Sequence, residues 1–183
     1  MNKFADNPDY VLYEKLLIEV HRLIAAGKGN DDEADAVRDK MDAPEQKLSR
    51  EESDRVGGLS ADLYMLQNDE VYEPYGGTRE ELVTSLGEAL SRHDYEAILS
   101  LLRKGSPFLR PAQVAALRGR CYAMLGHLET ALLFMRYAAE KEPEQVAHRL
   151  YILGLLTQLN RSQEALSEVE AYARVLDPRL LAA

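Results

Sequence analysis

Ala97, Ala131 and Ala165 lie 34 residues apart, and each heads the same short pattern. A large aliphatic residue follows at Ile98, Leu132 and Leu166, and Leu101, Met135 and Val169 stand three positions further on. Upstream come the polar steps Arg92-His93-Asp94, Gly126-His127-Leu128 and Asn160-Arg161-Ser162, which have the character of turns between antiparallel helices. Two helices that cross closely need a small residue at the contact while larger neighbours fill the flanking layers. A spacing of this length therefore constrains the second half of the chain to repeated helix–turn–helix units.

The period and the motifs of the middle unit resemble the tetratricopeptide-repeat family. Across residues 112–145 the family's small first-helix residue falls on Gly119, its aromatic on Tyr122 and its turn glycine on Gly126. The two second-helix alanines fall on Ala131 and Ala138, and the closing proline on Pro143. Ala115 and Arg118 stand where the family has large residues, and Met135 replaces its usual aromatic. In the third unit Gly154 and Pro178 each come one residue late and Leu156 holds the aromatic's place. In the first unit Pro107 comes early, and the second helix is the clearer match. The resemblance spans residues 78–179. It implies an all-α fold of antiparallel helix hairpins, three TPR-like repeats in a short right-handed solenoid, preceded by a small segment of about three helices. A plain bundle of four to six helices with accidental spacing is the alternative.

Helix starts agree with that register. Thr78-Arg79-Glu80-Glu81 reads as a capping box, and Pro111 and Pro143 suit first helical turns, where a missing N–H removes no hydrogen bond. Residues 72–78, with Pro74, Gly76 and Gly77, interrupt any helix and divide an amino-terminal segment, 1–77, from the repeat segment, 78–183.

The amino-terminal segment has a different design. Asn7-Pro8-Asp9 opens a helix on which Leu12, Leu16, Leu17, Val20, Leu23 and Ile24 form one apolar stripe, ended by Gly27 and Gly29. Asn30-Asp31-Asp32-Glu33 reads as a capping box for a second helix carrying Ala34, Val37 and Met41, which stops near Pro44. Ser49-Arg50-Glu51-Glu52 starts a third, with Val56, Leu59, Leu63 and Leu66 inward and Gly57-Gly58 weakening it. Residues 25–29 and 58–64 resemble segments of uncharacterised bacterial proteins.

Of the net charge of −9, residues 1–77 carry all: they hold 18 Asp and Glu against 9 Lys and Arg, while residues 78–183 balance at 13 each. This acidity solvates a helical surface, or steers a basic partner, and argues against nucleic-acid binding, which needs a basic face. Cys121 is the single cysteine, so neither an intramolecular disulfide nor a cysteine-based zinc site is expected, and a reducing compartment fits. With no signal-like leader and no apolar run of ~20 residues, a cytoplasmic protein with no membrane partner is expected.

Catalytic parts are sparse. His93 and His127 fall 34 residues apart at turns expected to be equivalent, too far apart for shared metal ligation; His21 sits beside apolar positions and His148 beside Arg149. The cluster Asp31, Asp32, Glu33 and Asp35 lacks the alternating ligands of a calcium loop and reads as helix-start electrostatics. Lys28 between glycines follows a helix rather than a strand, so it is no phosphate loop. The chain is read as no enzyme, with no cofactor and no metal site. Tyr64, Tyr72 and Tyr75 gather near the linker, to pack the segments or to bind a peptide.

In the resembled family the first helices of successive repeats line a concave groove that accepts a peptide or helix. Carried over by register, the resemblance implies that Arg79, Gln113, Arg120, Leu150, Thr157 and Gln158 lie on or near such a groove, with Leu82, Leu86 and Ala116 between them. The lining is mixed apolar and mildly basic, suited to a protein or peptide segment of some acidic character. Its basic set is too thin for the family's clamp on carboxyl-terminal acidic motifs. An interaction scaffold is thus expected first. A bacterial chaperone for secreted substrates is a second reading, and a homodimer or larger assembly through an uncapped end repeat a third.

Overall fold

Asn7 accepts the Asp9 N–H on its side-chain oxygen at 3.0 Å, and Pro8 follows at the first helical position, so the first helix begins where its cap dictates. The computed structural model describes residues 3–4, 6–68, 75–105 and 108–176, and among them it is all-helical, with nine helices and no strand. The chain divides into two compact units, Met1–Glu70 and Val71–Ala183.

The first unit holds α1 (Pro8–Ala25), α2 (Asp32–Glu45) and α3 (Arg50–Asn68), with α1 packed on both of the others. Its core gathers Leu16, Leu17 and Val20 of α1, Val37 of α2, and Leu59 and Leu63 of α3, all buried. The capping box at Ser49 forms: the Ser49 N–H donates to Glu52 Oε2 at 2.8 Å, and Ser49 Oγ accepts from the Glu52 N–H at 3.3 Å. Those bonds, with Asn7 Nδ2 donating to Glu52 Oε1 at 2.8 Å, hold the Glu52 carboxyl below its ordinary range and join the starts of α1 and α3. The second helix departs from its expected start. Asp31, not Asn30, occupies the cap position, without a side-chain cap hydrogen bond; the helix does stop near Pro44, its last residue being Glu45.

The second unit is three successive helix pairs: α4 (Arg79–Ser91) with α5 (Tyr95–Gly105), α6 (Pro111–Leu125) with α7 (Leu128–Lys141), and α8 (Val146–Gln158) with α9 (Ser162–Leu176). Each second helix also packs on the first helix of the next pair, α5 on α6 and α7 on α8. Thr78 and Glu81 form the expected capping box at the start of α4, at 3.2 and 2.8 Å. The linker residues 71–74 lie outside the described residues, as do Pro107, Pro178, Leu180 and Leu181.

One backbone device closes the first helix of every pair. His93, Gly126 and Asn160 adopt left-handed conformations, with φ of 56°, 89° and 57°. The next N–H reaches back five residues each time: Asp94 to Ala89 O at 2.9 Å, His127 to Tyr122 O at 2.8 Å and Arg161 to Leu156 O at 2.9 Å. This satisfies carbonyls that a helix end otherwise leaves open. Gly27, with φ of 76°, and the Lys28 N–H do the same at the end of α1.

These turns revise the repeat register. The left-handed residues are 33 and 34 apart, so the structural counterpart of Ala131 in the first pair is Ile98 rather than Ala97. Ile98 and Ala131 are fully buried, whereas Ala97 is half-buried. The two turn histidines are likewise not equivalent: His93 is the exposed left-handed residue, and His127 is the buried residue that follows its counterpart, Gly126.

The helices α6 and α7 cross closely. A Cβ added to Gly119 would meet the Met135 side chain at 2.8 Å and the Ala131 carbonyl oxygen at 3.2 Å. Tyr122 stacks on Phe134 with centroids 5.5 Å apart, and the Arg118 guanidinium lies over the Phe134 ring, 5.9 Å from its centroid. Outside this core, Arg161 binds Glu129 at 2.8 Å and Glu164 at 2.6 Å, and Arg136 binds Glu164 and Glu168 at 3.3 and 3.2 Å. The network links α7 to α9.

Two outcomes test this packing. Ala131→Phe adds volume where no space exists and is expected to cost about 1–3 kcal/mol or more, lowering the thermal midpoint by roughly 5–10 °C. An unchanged midpoint by calorimetry refutes the close crossing. In the first unit, burial against Tyr64 lowers the His21 imidazole from 6.5 to about 4. A depressed imidazole favours the neutral folded form, so its stabilisation is complete above about pH 6.5 and lost as pH falls toward 4. The expected loss is on the order of 3 kcal/mol, read as a falling urea midpoint, and His21→Phe should flatten that slope.

Candidate functional site

The first helices of all three pairs converge on one open cleft of about 410 Å³. Arg79, the first residue of α4, stands on one side. From α6 come Gln113, Ala116, Leu117 and Arg120, one residue per turn or so along a single face, with Leu109 and Arg110 just before the helix. Glu142 and Gln145, in the turn after α7, and His148, in the first turn of α8, complete the wall.

The cleft is basic. Three arginines face it against one carboxylate. Arg110 Nη1 lies 2.7 Å from Glu142 Oε1, so that carboxylate is already engaged. Arg79 and Arg120 are exposed and make no ion pair with any described residue. The starts of α6 and α8 both contribute to the wall, and helix amino termini favour negative charge. Leu109, Ala116 and Leu117 supply apolar surface between the charges. Gln113 Oε1 accepts the Arg110 N–H at 3.3 Å, fixing the approach to α6.

His148 is the most enclosed polar member of the wall. It is 8% exposed, and neither ring nitrogen has a hydrogen-bond partner. Its Nε2 lies 3.7 Å from Glu142 Oε2, within reach of an ion pair but beyond a hydrogen bond. Glu142 thus stands between a guanidinium and an imidazole.

The six residues expected at a groove divide into two sets. Arg79, Gln113 and Arg120 come together in the cleft, with Ala116 between the latter two. Leu150, Thr157 and Gln158 do not line it. They lie further along α8, all exposed, Leu150 at 63%, and the Thr157 hydroxyl donates to Leu153 O at 2.8 Å. Leu82 and Leu86 are buried and unavailable to a ligand; the 33-residue step in the first pair makes them the counterparts of the buried Ala115 and Gly119 rather than of Ala116 and Arg120. Sequence reasoning missed Arg110, Glu142 and His148. The available signal was Pro111, which opens α6; Pro143, expected in a first helical turn, lies instead in the turn before α8, whose first residue is Val146.

Tyr64 lies in the first unit against His21 and Tyr75 in the second against Phe108, while Tyr72 lies outside the described residues. Cys121 is buried. Among the described residues no group of His, Cys, Asp and Glu is placed to hold a metal ion, and no helix is long and apolar enough to cross a membrane. Compared with known proteins, the chain matches no family model, no curated protein and no solved structure.

Proposed function

We propose that this chain is a non-enzymatic interaction scaffold, a TPR-like array of three hairpins that holds an acidic peptide or helix in the cleft of α4, α6 and α8. The observation that carries this reading is that first helices from all three pairs supply the cleft, which keeps Arg79 and Arg120 uncommitted to any described carboxylate. The recurring left-handed turns and the packing of each second helix on the next first helix favour an open array over a plain bundle. Acidic side chains entering the cleft would meet two free guanidinium groups, while Leu109 and Leu117 offer contact for an apolar neighbour.

A blocked hexaglutamate peptide is a direct probe, with a serine peptide of equal length as control. Arg120→Glu is expected to weaken hexaglutamate binding about tenfold or more, on the order of 1.4 kcal/mol, with helicity by circular dichroism unchanged. Equal affinity in both proteins refutes the cleft as the binding site.

Self-association through the last pair is a second reading with its own observation. Leu166 and Val169 of α9 are 63% and 48% exposed, yet their register counterparts Leu99, Leu132, Leu102 and Met135 are buried under the next pair. Leu166→Glu should convert any dimer seen by light scattering to monomer; a wild-type monomer at all concentrations removes this reading.

A further inference from the structure

The cleft already contains a carboxylate of its own. Glu142 is a side chain with 12% exposure in a basic cleft, bound to Arg110 at 2.7 Å and 3.7 Å from the His148 ring. We propose that Glu142 is a built-in competitor for the acidic partner, displaced from Arg110 onto His148 when that partner binds, so that binding takes up a proton. This inference rests on the proposed acidic-partner reading and adds its regulation.

The charges around His148 set the direction of the exchange. The charged groups that line the cleft with it are Arg79 from α4, Arg110 and Arg120 from the start and body of α6, and Glu142 from the turn before α8. On α8 itself the neighbouring Arg149 is directed over Tyr172 of α9, 5.2 Å from the ring centroid. Three arginines line the wall with His148, and the one carboxylate among them is held by Arg110. Both His148 ring nitrogens are buried without a hydrogen-bond partner, an arrangement that costs stability.

An arriving acidic side chain changes each term in the same direction. It neutralises Arg79 and Arg120, and it offers Arg110 an alternative carboxylate. Glu142, released, moves less than the length of a carboxylate toward His148 Nε2, from a starting separation of 3.7 Å. A protonated imidazole then donates to Glu142, and the buried nitrogen gains the partner it lacks. No covalent bond changes; one proton passes from solvent to His148. Imidazole is the side chain that changes charge between about pH 5 and 8, so affinity for acidic partners rises as the medium acidifies.

Titration calorimetry with blocked hexaglutamate at about pH 8 and pH 6, each in two buffers of different ionisation enthalpy, tests the exchange. For the unaltered protein the expected result is uptake of about one proton and roughly three- to tenfold tighter binding at the lower pH. Glu142→Gln removes the competitor and should tighten binding at the higher pH by roughly two- to fivefold, the scale of an exposed ion pair. His148→Gln should abolish both proton uptake and the gain at low pH, while His93→Gln, on an exposed turn, should leave both in place. Binding that depends on Arg120 but is unmoved or weakened by Glu142→Gln, or that keeps its proton uptake in His148→Gln, overturns the exchange and leaves the scaffold reading standing. Absence of Arg120-dependent binding in every protein overturns both.

Discussion

The second unit depends on how closely α6 and α7 approach each other. Gly119 has no side chain because the Met135 side chain and the Ala131 carbonyl occupy its place, at 2.8 and 3.2 Å from where a Cβ would stand. With the backbones that near, Tyr122 and Phe134 can stack, and Ala131, Phe134, Met135 and Ala138 lose essentially all contact with water. Their burial is the main favourable term for this pair, because apolar area removed from water scales with how tightly the helices meet. The pairs on either side use the middle pair as their support: α5 packs on α6, and α8 on α7.

The turns translate that packing into an array. A left-handed residue followed by a five-residue back bond reverses the chain within two or three residues, so each second helix returns along the first. Only Gly126 meets this geometry without steric conflict; His93 and Asn160 adopt it with a side chain present, histidine and asparagine being residue types enriched among those that do. The same turns fix which faces of α4, α6 and α8 are left over once the hairpins have packed. Those leftover faces line the cleft, and their charge is a consequence of what the packing faces did not need.

The cleft joins groups that lie far apart in the chain. Arg79 and His148 are separated by most of the second unit, yet both line one cavity of about 410 Å³. Within it Glu142 is the single carboxylate among three arginines, and it stands next to a buried imidazole. If the proposed reading holds, such a scaffold would read both the presence of acid in its partner and the acidity of its surroundings.

Local signals determined much of this on their own. The capping boxes at Ser49 and Thr78, the cap at Asn7, the first-turn Pro111 and the glycine turn at Gly126 all act within a few residues, and each helix start there was legible from the sequence. The alanine spacing announced helix pairs, and Arg79, Gln113 and Arg120, carried over from the resembled repeat, do meet in one cleft although the first pair is out of that register by one residue. Tertiary structure alone decided the one-residue slip in the first pair, which exchanges Ala97 for Ile98 at the crossing and buries Leu82 and Leu86. It also decided that Leu150, Thr157 and Gln158 stand away from the cleft while Arg110, Glu142 and His148 enter it. The reason is geometric: one residue of slip rotates a helix face by about 100°, and residues brought together by packing carry no mark of that meeting in their spacing along the chain.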